Sequence, residues 1–238
     1  MEIGNKDVYE YILNFADDKT IINMILANPK TFDNEKFYDK VMRKRYPLLI
    51  EFRHNNETWK ALYLRMVYIL AKLQEDYQIP YIPSKGCNPE KLLSSENRYD
   101  NALFCAASGD NIPLIDYFLE KGANSINVAS FFAAEKGNIN TVKHLINKGA
   151  NDYQDIFKYA ASGGKVETMK LALSYLGGFN FNGFTGRLSL TIAISKGHIE
   201  VIKFLINNGV TIDKGNIQSA KREGKYDVAK YLKQFVQN

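Results

Sequence analysis

The fold is decided by residues 188–209, LSLTIAISKGHIEVIKFLINNG. Two short apolar-patterned segments flank Lys196-Gly197-His198. Gly197 can take the left-handed conformation that stops one helix and turns the chain into the next. The same pattern recurs with its turn at Asp110, Gly137, Gly164 and Gly224, so the five turns stand 27, 27, 33 and 27 residues apart. A fixed period of roughly 20–50 residues marks a solenoid, in which each unit buries its apolar faces against its neighbours.

The register assigns a task to each position. A small residue lies four places before every turn: Ala106, Ala133, Ala160, Ala193 and Ala220. Small side chains there predict close approach of successive first helices. Apolar residues follow each turn at offsets two, five, eight and nine. In the second unit they are Ile139, Val142, Leu145 and Ile146, and in the fourth Ile199, Ile202, Leu205 and Ile206. Such gaps place one apolar stripe on a second helix. Lys143, Lys170, Lys203 and Lys230 fall at offset six and are predicted to face water. The units close at Gly122, Gly149, Leu176 and Gly209.

These residues resemble the ankyrin repeat. Gly186-Arg187-Leu188-Ser189-Leu190-Thr191-Ile192-Ala193 follows that family's G-x-T-P-L-H-x-A, and Gly197-His198-Ile199-Glu200-Val201-Ile202-Lys203 follows its G-H-L-E-V-V-K. Leu188 and Ser189 replace the Thr-Pro that starts the first helix in the family. Only the 33-residue step has room for a full hairpin finger, from Gly177 to Leu188; the 27-residue units have lost most of it. The expected fold is all-α. Residues 101–238 form an ankyrin-repeat solenoid of five units, four with trimmed fingers. A helical N-terminal domain, 1–78, and a connector, 79–100, precede it.

Composition is that of a globular chain, with 45% hydrophobic and 24% charged residues. The net charge of +5 sits in the repeats: residues 1–100 carry 15 basic and 15 acidic residues, whereas 101–238 carry 16 and 11. The lysines recur about once per repeat on the second helices, which reads as a solvated face. No base-reading motif accompanies them, so nucleic acid is not an expected partner. Cys87 and Cys105 have no CxxC or framework spacing, which reads as two separate thiols in a reducing compartment, with Cys105 a small buried apolar residue. The first residues, MEIGNKD, lack the pattern of a signal peptide, and no apolar run approaches the roughly 18 residues that span a bilayer. In the last unit Lys233 occupies an apolar offset, as in a terminal repeat with a polar outer face, so the array is expected to end here.

Residues 7–46 read as three short helices: Asp7–Phe15, Thr20–Asn28 with Asp17-Asp18 before it, and Asn34–Tyr46 ended by Pro47. A longer helix runs from 56 to 77, capped by Asn55 or Asn56, with Trp59, Leu62, Tyr63, Met66, Leu70, Leu73 and Tyr77 as its stripe. A helix, an acidic turn, a helix ending in Asn28-Pro29-Lys30 and then Phe32 resemble a degenerate F-box over 7–46, although its leading Leu-Pro is replaced by Asn5-Lys6. That resemblance implies a face of Val8, Ile12, Leu13 and Phe15, with Ile21, Ile25 and Pro29, that docks the adaptor subunit of a cullin-type ubiquitin ligase. The alternative is a helical cap over the first repeat. The order of segments, together with the strings RYPLL, ETWK and YIP, resembles ankyrin-repeat proteins of giant DNA viruses of protists. This resemblance implies an intracellular protein of the host cytoplasm with a host protein as partner.

Catalysis has no footing in the sequence. His54, His144 and His198 are scattered without metal-ligand spacing, and His198 stands at the family's turn histidine, a structural hydrogen-bonder. No nucleophile, base and orienter can be assembled, and no phosphate-binding loop is present. The expectation is a non-enzymatic binding protein without metal or cofactor.

Binding is expected on the first helices and the finger. By register the contact residues are Phe104, Phe131, Glu135 and Lys136 in the first two units and Lys158 in the third. Thr191, Lys196, Gln218 and Arg222 continue the surface through the last two. Phe181, Phe184 and Arg187 belong to the finger, whose aromatic tip is expected to protrude. Of Phe131-Phe132, one ring should pack inside and the other face out, since neighbours on a helix do not share a face.

Overall fold

The computed structural model describes residues 16–27, 34–80, 82 and 84–236, and all regular structure among them is helical. The chain divides into two compact units, Met1–Cys105 and Ala106–Asn238.

In the N-terminal unit, α1 (Asp18–Ala27) and α2 (Glu35–Arg45) are followed by a 3-10 segment, Pro47–Phe52. Then come α3 (Trp59–Tyr77) and α4 (Pro89–Ser94), while α5 (Arg98–Ser108) crosses the unit boundary. Apolar residues at helical spacing build one core from Ile21, Phe37, Val41, Met42, Leu62 and Met66, with Tyr38 and Tyr63 fully buried beside them. At the edge of this core sits part-buried Asp18, which accepts from Arg45 (3.2 Å), Tyr63 Oη (2.9 Å) and Tyr46 Oη. Burial, and then the Asp18 charge, push the Tyr63 phenol up, so Tyr63 keeps the proton it donates. A second polar knot is Arg65, which reaches both Glu57 oxygens at 2.7 Å, the Phe52 carbonyl at 2.9 Å, and Glu90. Those bonds hold the Glu57 carboxyl below its usual range.

Several N-terminal expectations change. The start of α3 is capped by Thr58 Oγ1, which accepts from the Ala61 N–H, and by the Glu35 carboxylate of α2; Asn55 and Asn56 do not cap it. Pro47 does end α2, yet it also opens a tighter helical turn, because a proline at the first helical position loses no hydrogen bond. Ile21 is wholly buried in the core, so it cannot belong to an exposed docking face. Val8, Ile12, Leu13, Phe15 and Pro29 lie outside the described residues; Ile25 lies on α1, with its side chain undescribed.

Cys87 and Cys105 are not separate thiols: they are joined as a disulfide, Cα–Cα 5.4 Å, closing the connector onto α5. The connector brings Cys87 beside the helix by burying Ile79, Ile82 and Ser84, a convergence that sequence spacing does not encode. The argument for a reducing compartment from unpaired cysteines therefore falls away.

The second unit is a stack of antiparallel helix pairs: α6 (Ile112–Glu120); α7 (Ile126–Lys136) with α8 (Ile139–Asn147); α9 (Tyr153–Ser162) with α10 (Val166–Tyr175). It continues as α11 (Phe184–Lys196) with α12 (Ile199–Asn207), and α13 (Lys214–Arg222) with α14 (Tyr226–Leu232). Every turn residue is left-handed: Asp110 at φ 56°, then glycines at 83°, 75°, 78° and 70°. At each turn the next N–H donates back to the alanine carbonyl. The pairs are Asn111 to Ala106 (3.0 Å), Asn138 to Ala133 (3.0 Å), Lys165 to Ala160 (2.8 Å), His198 to Ala193 (2.9 Å) and Lys225 to Ala220 (2.8 Å). All five alanines are buried. Asp110 stands where the other turns have glycine, and its carboxylate accepts from buried Thr141 at 2.6 Å.

The second-helix stripe differs in three columns from the expected one. Offsets five and eight are buried, but offsets two and nine are half-buried in the first four units and exposed in the last, at Tyr226 and Lys233. The fourth offset, outside the expected stripe, is buried from the second unit onward as Thr141, Thr168, Val201 and Val228. Threonine there hides a methyl in the interior, which hydropathy alone does not reveal. The finger is also shorter than expected, because α11 starts at Phe184 and Leu188-Ser189 lie inside it. Both residues fit a helix interior, so nothing stops the helix at 188. Gly186 makes the extension possible: a Cβ there would stand 2.0 Å from the Phe181 carbonyl oxygen.

Two outcomes test this packing. Gly163→Ala would put a Cβ 1.8 Å from the Glu135 carbonyl oxygen of the preceding repeat. It should cost about 2–3 kcal/mol in urea unfolding, whereas Gly177→Ala, which meets nothing within 4 Å, should change stability little. Cys105→Ser should lower stability by about 3 kcal/mol and abolish the response of thermal unfolding to added reductant.

Candidate interaction surface

Each first helix turns one side inward through its alanine and leaves another in water. Residues nine, five and one before a turn are spaced by four and share a face. On α7 that row is Val128, Phe132 and Lys136, all exposed; on α9 it is Asp155, Tyr159 and Gly163; on α11 it is Leu188, Ile192 and Lys196. The fifth position before the turn thus carries Phe132, Tyr159 and Ile192 on successive repeats. Phe132 is 37% and Tyr159 36% exposed, large aromatic areas in the middle of a well-packed array.

The neighbouring row is less open. Phe131 is buried and stacks flat on Tyr159 of the next repeat, 5.1 Å between centroids and 8° between planes. Of the adjacent pair it is therefore Phe132 that meets solvent, and Phe131 serves by fixing Tyr159 from behind. Glu135 accepts from Ser162 Oγ at 3.2 Å and ties the same two repeats. Lys158 is half-buried, pairs with Asp155, and lies 5.4 Å over the Tyr159 ring. Phe104 is half-buried on α5, in the other unit. Lys136, Arg187, Thr191, Lys196, Gln218 and Arg222 are exposed, as expected, with Thr191 Oγ1 donating to the Arg187 carbonyl.

The finger is an aromatic plug rather than a free tip. Phe179 packs on buried Phe157 (4.6 Å) and on Phe181 (4.8 Å), and Phe181 reaches Phe204 at 6.5 Å. The expected protruding role of Phe181 is thus replaced by packing between the third and fourth repeats, because the finger's rings find an apolar bed there. Asn182 locks the finger to the next unit: its amide donates to the Gly209 carbonyl (2.7 Å) and its oxygen accepts from the Thr211 N–H (2.9 Å). Phe184, just beyond, is 82% exposed. It borders a shallow cavity of about 210 Å³ lined also by Gln154, Gly178, Asn180 and Thr185.

The histidines are held singly. His198 Nε2 lies 2.9 Å from the Ser162 carbonyl, bridging repeats at the turn as the family pattern implied. His144 Nε2 is 2.9 Å from Asp116, which Lys148 also meets at 2.7 Å; these two bonds, Lys148 first, hold the Asp116 carboxyl below its usual range. His54 lies 3.7 Å from Glu90. The first-helix face offers hydrophobic contact and cation contact.

Phe132 enters the sequence reading only as one of two rings that could face out, and Tyr159 not at all, yet a signal for both exists. They share the register position five before the turn, and that column reads Cys105, Phe132, Tyr159, Ile192 and Ser219. Reading columns as well as single aromatics would have found the pair.

Comparison with known proteins bears on residues 130–216, which match a family model described as ankyrin repeats, in three copies. That span runs from α7 through α13 and includes Phe131, Phe132, Tyr159 and the whole finger. Residues 130–216 are thus ankyrin repeats, and such repeats indicate a protein–protein interaction module. No curated protein matches the chain, and nothing in the comparison supports the F-box-like resemblance of residues 7–46 or the viral resemblance of the whole chain.

The two phenylalanines should separate structure from surface. Phe131→Ala is expected to destabilise the repeats by about 3 kcal/mol, and Phe132→Ala by less than about 1 kcal/mol, measured by chemical unfolding.

Proposed function

We propose that this protein is a binding module whose repeats grip a protein partner with the exposed side of α7, α9 and α11. The anchors are Phe132, Tyr159 and Phe184, with Arg187 and Lys196 beside them. The observation that carries this reading is the exposure of aromatic rings at one register position on two successive repeats. Alignment of the helices would let those rings enter a partner together, and large rings already held in place lose little freedom on binding. Phe131 supports the arrangement from beneath, since its flat stack leaves Tyr159 few other orientations.

The N-terminal unit has its own core and polar knots. Recruitment of a ubiquitin-ligase adaptor by α1 loses Ile21 as a contact, since that side chain is in the core. The partner-binding reading rests on the repeats alone.

The test is affinity capture with the whole chain, its Phe132→Ala/Tyr159→Ala variant, and the outer-helix variant Lys170→Glu. A partner held by the proposed face should be kept by the wild type and by Lys170→Glu. It should be lost from the double variant, with affinity down tenfold or more, while the unfolding midpoint stays near that of the wild type. Equal recovery by all three proteins would refute the assignment of the face.

A further inference from the structure

The exposed first-helix face is graded along the array. On α7 and α9 it is apolar with its charges offset: Lys158 pairs with Asp155, Glu135 lies next to Lys136, and Val128, Phe132 and Tyr159 are exposed. On α11 and α13 it is cationic. Arg187, Lys196 and Lys214 are exposed, and none makes an ion pair among the described residues; Arg222 has only a loose contact with Glu223 at 3.9 Å. Neither of these two helices carries an acidic residue. On the outer helices Lys148, Lys170 and Lys203 each meet a carboxylate at 2.7–2.8 Å, while Lys143 and Lys230 are exposed without an ion pair among the described residues. The acidic residues flanking α13, Asp213 and Glu223, are outnumbered by Arg187, Lys196, Lys214 and Arg222, and such an excess of one sign attracts an acidic surface.

We infer that the partner presents an acidic segment with an aromatic or aliphatic anchor, laid along the first helices. Its anchor meets Phe132 and Tyr159, and its carboxylates meet Arg187, Lys196 and the α13 cations. This rests on the proposed use of that face and adds the partner's chemistry and its direction along the array. The guanidinium of Arg187 can take a carboxylate with two parallel hydrogen bonds, which Lys196 cannot. A single strand of nucleic acid would also find rings and cations here. Stacking platforms, however, interleave the two along one track, whereas here Phe132 and Tyr159 lie on α7 and α9 and most of the unpaired cations on α11 and α13, with Phe184 beside Arg187.

The experiment selects a random dodecapeptide library, displayed on phage, against the whole chain, and then measures one enriched peptide by fluorescence anisotropy. Enriched sequences should carry excess Asp and Glu together with Phe, Leu or Trp. Affinity should fall with added salt. It should drop tenfold or more with Arg187→Glu/Lys196→Glu or with Phe132→Ala/Tyr159→Ala, and hold with Lys170→Glu. Peptides without acidic excess, or indifferent to the charge reversal, overturn the acidic partner; if they still require Phe132 and Tyr159, the face itself stands. Peptides indifferent to both double variants sink the face as well. An empty selection counts against the inference, as does a twelve-residue thymidine oligonucleotide that displaces the peptide at comparable concentration.

Discussion

The structure depends on one hydrogen bond made five times: the N–H following a left-handed turn residue donates to the carbonyl of a buried alanine. That bond satisfies an otherwise orphaned carbonyl at the end of each first helix and fixes the angle at which the second helix leaves. The alanine's missing bulk lets the next repeat approach, and its backbone closes the turn. One residue therefore controls both the fold of a unit and the distance to its neighbour. The residue after each turn extends the control between units. Asn138 donates to the Ala107 and Ser108 carbonyls at 2.9 and 3.1 Å, and His198 meets the Ser162 carbonyl. At the third and fifth turns lysine takes this place, and its aliphatic stem lies over the preceding glycine: Lys165 over Gly137, Lys225 over Gly197. Asparagine and histidine meet a carbonyl at the end of the previous first helix, whereas lysine covers the previous turn with its stem, so the position requires contact with the previous turn more than any one group.

Uniform turns with unequal loops make the array asymmetric. Where the step is 27 residues, short connections such as Gly149 to Asp152 join one pair directly to the next, and Asn127 Oδ1 accepts from the Asn151 N–H across the gap at 2.8 Å. The 33-residue step inserts Phe179 and Phe181 and gives the interior a local aromatic filling beside Phe157. The longer loop thus thickens the joint between repeats, and exposure moves to its far edge at Phe184. The cations concentrate beyond that joint.

The N-terminal unit is organised differently. Two carboxylates tie its helices together: Asp18, in the first turn of α1, gathers Arg45, Tyr46 and Tyr63, and Glu35 covers the first N–H groups of α3. A carboxylate near a helix N-terminus is favoured by the helix dipole, and the tyrosine and arginine donors offset its desolvation. No periodicity announces such bonds, which is why the helices of this half were legible one by one while their assembly was not.

The repeat register, the five turns, the inward alanines and the place of the one long finger were fixed by residue identity and spacing. Each follows from local backbone preference and from a period that neighbouring units must share. Only tertiary structure decided that Phe131 packs while Phe132 faces out, that Phe181 fills a joint, that a threonine column is buried, that Ile21 is core and that Cys87 meets Cys105. Those outcomes depend on what stands opposite a side chain, and the opposing residue comes from another repeat or another helix at a distance along the chain that no local pattern specifies.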